Sequence, residues 1–374
     1  MISRTEVEKL LSVSAPGPSV LSLYLWLPLD PAELRGVPTR ADELLALAAR
    51  NGPGTPGVVR AGTAERRTVR ELLAARGRDW IGHTVAIFAC AELGLAEAIP
   101  LPCRLQERAV LAVRPHVRPL LLALQRSPDF RAVVVDRRHG WLFAITGEQV
   151  ATTGASPAEE VRSRRFSGWY GLESYRVNDR VIELARHHYH DTAALLDRAA
   201  RASGPQPLVL GGHDDTVSQF LAVLAPGLRD QFAGRFVADP HVLTPARVRE
   251  LAGRVIRDWV SAREQELVSQ ILRQPPDGLT AVGLDACLAA AGQRAIDVVL
   301  VPAGGLTPGY ACTECGALSG TPRGCTHDPS ASLAVPDLIE EIAVSALGDG
   351  GQVETVADAP GGITARLRFP LVSG

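Results

Sequence analysis

Short apolar runs of three to seven residues alternate with polar breaks along this chain, and their lengths and periods predict a succession of strands and helices. In the first third, a helix-like opening leads to a strand at residues 20–25 (Val-Leu-Ser-Leu-Tyr-Leu). A Gly/Pro-rich stretch at 51–57 reads as a loop, Arg/Glu/Ala/Leu-rich sequence at 64–75 as a helix, and 84–90 as a second strand. After Pro115 the run 120–124 reads as a short helix.

The middle third opens on a hairpin: β-branched residues at 132–135, a turn at Arg137-Arg138-His139-Gly140, and a partner strand at 141–145. Residues 155–174 are polar and aperiodic and predict a long exposed loop, followed by a helix over 174–202. Residues 208–210 predict a buried strand. Asp214 or Thr216 is the expected cap of a helix starting near Val217. The last third begins with one long helical segment, 245–273, stopped by Pro275-Pro276. A helix at 284–291, a strand at 297–301, a helix at 336–347 with Pro336 in its first turn, and strands at 352–356 and 363–369 complete it.

This alternation predicts an α/β protein of three domains: 1–128, 129–244 and 245–374. The length of 374 residues is too great for one ordinary core and suits that division. With 46% hydrophobic and 21% charged residues, the composition is that of a folded globular chain. A formal net charge of -2 excludes a surface coated in positive charge, so any contact with RNA must come from local patches. Lys9 is the only lysine among 39 basic residues, which reflects base composition more than function. The N-terminus lacks the apolar core of a secretory signal, and no run reaches the roughly 18 apolar residues of a membrane span. Six cysteines without a framework pattern fit a reduced cytoplasm.

Two clusters carry candidate chemistry. Cys312-x2-Cys315-x9-Cys325-x-His327 gathers four ligand-type residues in a Gly/Pro/Thr/Ser setting, and zinc takes about four N or S ligands in a tetrahedron. With four protein ligands such a zinc site is closed and structural. The alternative is a chance cluster of thiols in a polar loop. The second cluster is the segment from Arg162 to Gly171, where Arg162, Arg164 and Arg165 precede Gly168-Trp169-Tyr170-Gly171. Guanidinium groups take phosphates, rings stack on unpaired bases, and glycines allow close approach. Read alone, the same segment fits a surface loop that packs Trp169 on its own domain. Arg176 and Arg180 follow at i, i+4 on one helix face, whereas His187 and His190 read as a solvated face. Gly211-Gly212-His213-Asp214-Asp215 and Gly304-Gly305 follow buried strands. Neither carries the Gly-Lys-Ser/Thr of a nucleotide loop, and helix capping is their default explanation.

The order of these features resembles the archaeal and eukaryotic class I peptide chain release factors and Pelota over about residues 105–374. It is most similar to their bacterial, actinobacterial relatives, including Balon-like ribosome hibernation factors. Gly168-Trp169-Tyr170-Gly171 stands where release factors carry Gly-Gly-Gln, Gly361-Gly362 opens a similar closing strand, and Cys312 and Cys315 fall where some members hold zinc. The resemblance implies an RNase H-like central domain and a ribosomal-protein-like third domain with a zinc-binding insertion. It implies ribosomal RNA at the A site as partner, without a membrane or a small-molecule substrate, and leaves open delivery by an elongation-factor-like GTPase. Trp169 replaces the second glycine and no Gln follows, so the water-positioning group of peptide release is missing. A hibernation or rescue factor is therefore the expected function. The rivals are a peptidyl-tRNA hydrolase like the Vms-type factors, and a ribosome-independent RNA-binding or regulatory protein that keeps only the fold.

Overall fold

The computed structural model describes residues 4–51, 56–147, 149–157, 173–239, 243–273, 278–322 and 332–372. The fold is α/β, with four sheets among the described residues. Two compact units account for it: residues 1–126 with 264–374 make one, and residues 127–263 the other.

The first unit begins with α1 (Arg4–Leu11), β1 (Val20–Trp26), α2 (Pro31–Leu34), α3 (Val37–Asn51) and α4 (Pro56–Arg76). It continues through β2 (Thr84–Cys90), β3 (Leu95–Leu101), β4 (Arg108–Ala112) and α5 (Arg118–Arg126). Helix α4 starts at Pro56, well before the expected 64, so both ends of the stretch read as a loop are helical. The proline takes a first-turn position, where its missing N–H is harmless. The strands form one antiparallel sheet in the order β3-β2-β1-β4. Strand β1 is apolar at nearly every position because both of its faces are covered. Leu21, Leu23 and Leu25 pack with α3 and α4, while Tyr24 packs with Val7 and Leu10 of α1 and Leu120 and Ala123 of α5.

The second unit holds β5 (Phe130–Val135), β6 (His139–Thr146), β7 (Gln149–Pro157), α6 (Glu173–Ser203), β8 (Leu208–Gly212), α7 (Asp214–Val223), α8 (Pro226–Arg229) and β9 (Phe232–Val237). Helix α9 (Pro245–Arg273) follows, and its residues up to Arg263 belong to this unit. The sheet order is β7-β6-β5-β8-β9, antiparallel through the hairpins and parallel across β5, β8 and β9. The expected hairpin is present, and β7 extends it by a third strand. One face packs on α6 and α7 through Val133, Val135, Leu210, Tyr189 and Phe220; the other packs on Val248, Ala252 and Ile256 of α9.

Helix α7 starts at Asp214, with His213 as its N-cap and no side-chain cap bond. The expected capping by Asp214 or Thr216 is thus corrected: both lie inside the first turn. The adjacent glycines serve close packing instead. A Cβ on Gly211 would lie 2.4 Å from the Phe236 ring. One on Gly212, at φ 146°, would lie 2.4 Å from the Val135 carbonyl oxygen.

The rest of the first unit comprises β10 (Thr280–Val282), α10 (Leu284–Gly292), β11 (Ile296–Pro302), β12 (Gly309–Cys312), β13 (Leu318–Ser319), β14 (Ser332–Val335), α11 (Leu338–Gly348), β15 (Gln352–Val356) and β16 (Thr364–Leu367). The larger sheet runs β10-β16-β11-β15, and the insertion forms a small sheet β13-β12-β14. Helices α10 and α11 cover one face of the larger sheet through Cys287, Ile342 and Ala343; Leu267, Val268 and Ile271 cover the other. Helix α11 starts two residues after Pro336, with Asp337 as its N-cap, so the proline stands outside the first turn. Among the described residues no helix is long and apolar enough to cross a membrane.

Candidate functional site

The expected RNA-binding segment sits in the second unit, between the edge strand β7 and the 31-residue helix α6. Arg162, Arg164, Arg165, Gly168, Trp169, Tyr170 and Gly171 lie outside the described residues. Arg176 and Arg180 fall on the first turns of α6, where only the backbone is described. What the structure describes is the frame. Helix α6 lies directly on β6 and β7 because two glycines omit their side chains. A Cβ on Gly140 would meet Thr192 at 2.5 Å, and one on Gly154 would meet Leu195 at 2.5 Å. Farther along α6, His187 and His190 are exposed, as expected for a solvated face, and His188 is buried.

The expected metal cluster is described in its first half. Cys312 ends β12 and Cys315 sits in the turn before β13. The turn is closed by two backbone bonds, from the N–H of Gly316 to the Cys312 carbonyl (2.9 Å) and from the N–H of Cys312 to the Ala317 carbonyl (2.9 Å). Gly316 adopts φ 73°, a left-handed value that suits glycine. Cys312 is buried and Cys315 exposed, and among the described residues neither is in a disulfide. Two thiols on one tight hairpin, with a glycine permitting the turn, fit the Cys-x2-Cys half of a tetrahedral zinc site. Cys325 and His327 lie outside the described residues.

A third constellation, which no local motif announces, joins the first and last parts of the first unit. Arg118, at the start of α5, donates from Nη2 to Asp337 Oδ2 (2.7 Å) and from Nη1 to the Pro302 carbonyl (3.2 Å), and Nη2 also reaches the Gly305 carbonyl. His116 Nε2 donates to the same Asp337 oxygen (3.1 Å) and faces Glu340 Oε2 at 3.5 Å. Asp337 accepts in addition from the N–H groups of Thr307 (3.1 Å) and Ile339 (3.2 Å). Glu340 is three residues past the N-cap Asp337, the place from which a glutamate ordinarily reaches back to its own helix start. Here it reaches across to α5 and accepts from the N–H groups of Val117 (2.6 Å) and Arg118 (3.0 Å). Below it, the Tyr24 hydroxyl donates to the His116 carbonyl (2.6 Å), and the His116 N–H donates to the Ser22 hydroxyl (2.9 Å). Burial pushes the Asp337 carboxyl up, but the bond from His116 and the neighbouring Arg118 outweigh it and hold the group below the usual carboxylate range.

The donor atoms of His116, Asp337 and Glu340 lie within 4.8 Å of one another, which satisfies the distance requirement for a metal. The Arg118 guanidinium already stands 2.7 Å from the shared carboxylate oxygen, so the place of a cation is filled by the protein. Both carboxylates also accept from backbone N–H groups. The cluster is a structural ion network. Its trace in the sequence is Pro-Asp-x-x-Glu, a pattern that ordinarily reports only a helix start.

Residues 115–264 match the family model described as bacterial archaeo-eukaryotic release factor family 10. No curated protein matches the chain. Among solved structures, the archaeal translation termination factor aRF1 is 17% identical over 98% of this chain and 99% of that chain, at a TM-score of 0.25. Archaeoglobus fulgidus Pelota is 16% identical over 78% of this chain and 81% of that chain, at a TM-score of 0.37. S. cerevisiae Dom34, described as a translation termination-like factor, is 11% identical over 78% of this chain and 81% of that chain, at 0.42.

Proposed function

We propose a function on the ribosome for this chain, whose segment 115–264 matches the model of bacterial archaeo-eukaryotic release factor family 10. In this reading it is a hibernation or rescue factor that occupies the A site, with the segment between β7 and α6 directed toward the peptidyl-transferase centre. The observation that carries the reading is the coincidence of that family segment with Arg162, Arg164, Arg165 and the Gly168-Trp169-Tyr170-Gly171 sequence, set between an edge strand and a long helix. The three arginines, with Arg176 and Arg180, take ribosomal RNA phosphates, and Trp169 and Tyr170 stack on bases or plug the centre. Trp169 and Tyr170 are poor positioners of water, so the segment blocks a tRNA site instead of hydrolysing an ester. Zinc held by Cys312, Cys315, Cys325 and His327 stiffens the insertion of the last third. The three-domain division at 129 and 245 belongs to the same reading, as does a cytoplasmic location. The reading has room for an elongation-factor-like GTPase as carrier; one of the solved relatives is described as interacting with Hbs1.

The test is co-sedimentation of the full chain with vacant 70S ribosomes, beside a variant with Arg162, Arg164 and Arg165 changed to Ala. Pelleting that weakens with salt and weakens in the variant supports the reading, since each phosphate no longer neutralised lowers the salt slope by about 0.7 to 0.9. A wild-type protein that stays in the supernatant overturns it. Rapid release of labelled peptide from peptidyl-tRNA would instead select the hydrolase.

A further inference from the structure

The ion network between α5 and α11 has a neighbour that takes no part in its hydrogen bonds. Glu341 follows Glu340 on the first turn of α11, so three carboxylates, Asp337, Glu340 and Glu341, crowd one side of the junction. Glu341 lines a cavity of about 10 Å³ together with Arg114, His116, Asp337 and Glu340, walled by Val110, Ala112 and Val344. Glu341 also borders an open groove lined by Glu8, Arg294 and Asp349. Arg114 and His116 come from the segment before α5, Arg118 is committed to Asp337, and β4 presents only apolar side chains there. Arg108 and Tyr24 lie deeper, next to Arg118 and His116. Arg114 is exposed to solvent, so its charge is partly screened.

We propose that this junction is a proton-loaded latch: closing α11 onto α5 and the N-terminal sheet takes up a proton at Glu341, so that acid tightens the docking and alkali loosens it. Asp337 and Glu340 supply the permanent part of the latch, because their hydrogen bonds close whether or not Glu341 is charged. Glu341 supplies the variable part. When ionised it adds a third negative charge beside Glu340 and Asp337 at a part-buried position on the rim of an open groove. When protonated it adds none.

The direction follows from linkage. Burial, and then the charge of Glu340, push the Glu341 carboxyl up from 4.5 to about 6, against the opposing pull of Arg114 and His116. A group that binds protons more tightly in the closed state favours closing below its open-state value and loses that advantage as the pH rises through about 6. Between pH 5 and 7.5 the closing equilibrium therefore weakens by about tenfold. The inference stands apart from ribosome binding, since it concerns only the first unit.

Amide hydrogen exchange on the full chain at pH 5 and pH 7.5, corrected for intrinsic rates, reads the latch in peptides covering 118–126 and 338–348. The expected result is an opening constant about tenfold larger at pH 7.5 in the wild type, with peptides covering 208–223 as an unchanging reference. In Glu341→Gln the two values coincide, at the wild type's low-pH level. A wild-type opening constant that does not move with pH overturns the proposal, and so does a Glu341→Gln variant that keeps the wild-type dependence. A His116→Gln variant is the control for the identity of the group: if it abolishes the dependence and Glu341→Gln does not, the proton belongs to His116 and the assignment falls.

Discussion

Gln125 lays its side-chain amide along the open edge of β15 in the place of a neighbouring strand, and its Oε1 accepts the Thr355 N–H at 2.8 Å. Its Nε2 donates to the Val353 carbonyl at 3.1 Å and to Glu354 Oε2 at 2.6 Å. One side chain at the end of α5 thus satisfies two backbone groups of a sheet edge 230 residues away in sequence. Edge strands left open are templates for pairing with other chains, and this one is closed without a strand.

Replacing Gln125 by Leu keeps the volume and strands both backbone groups in a half-buried place. The expected cost is about 1–3 kcal/mol. Urea unfolding of the variant would show it as a lower midpoint at unchanged slope, and the exposed edge should raise the tendency to aggregate.

The Arg118–Asp337 pair is buried on both sides. Arg118→Met leaves the carboxylate without its cation, and the expected loss is about 3–5 kcal/mol at neutral pH. Asp337 is held below the usual carboxylate range, so its contribution is present above about pH 4 and disappears as the pH falls through its lowered value. The difference between wild type and Asp337→Asn should accordingly shrink in strong acid. Unfolding midpoints at neutral pH and in acid check both statements.

Gly211 and Gly212 differ in what surrounds them, and their substitutions should differ too. A new Cβ at Gly211 meets the Phe236 ring, which has freedom to shift, whereas one at Gly212 meets the Val135 backbone at a positive φ. Gly211→Ala should cost about 1–3 kcal/mol by overpacking, and Gly212→Ala more than that. Thermal unfolding of the two variants would rank them, and equal losses would count against the packing role.

The zinc reading predicts metal in the purified protein at about one equivalent per chain, as a Cys-x2-Cys half-site with two further ligands demands. Elemental analysis should find it lost in Cys312→Ser and in Cys315→Ser. It should be retained in Cys287→Ser, whose thiol is buried in the α10 core and pushed up to about 12 by that burial. Metal content that is independent of Cys312 would sink the assignment.

The long-period elements were legible from the chain alone. Strand Thr84–Cys90 and helix Pro245–Arg273 have the bounds their apolar patterns predict, and Glu173–Ser203 extends the predicted helix by one residue at each end. Strand β7 was not legible because Gln149–Pro157 forms an edge whose side chains are largely exposed over residues 149–155, and its polar sequence has no alternation to read. The start of α11 was misplaced by two residues because Pro336 and Asp337 are both helix-start residues, and only the bond from Ile339 to Asp337 decides between them. His116 and Arg118 were invisible for a different reason. Local sequence marks them as surface residues, and their burial exists only once Asp337 and Glu340 arrive from the far end of the chain.

That arrival has a schedule. Arg118 and Asp337 are 219 residues apart, and the whole second unit is encoded between them. At about 5–20 residues per second of synthesis, the first third of a nascent chain spends about 10–40 s with its guanidinium and imidazole still in water and part of its apolar face uncovered. The second unit, whose residues 127–263 are contiguous, is free to fold during that interval. The N-terminal sheet is thus made before the second unit and completed after it, and part of its apolar face stays uncovered until the closing helix leaves the exit tunnel.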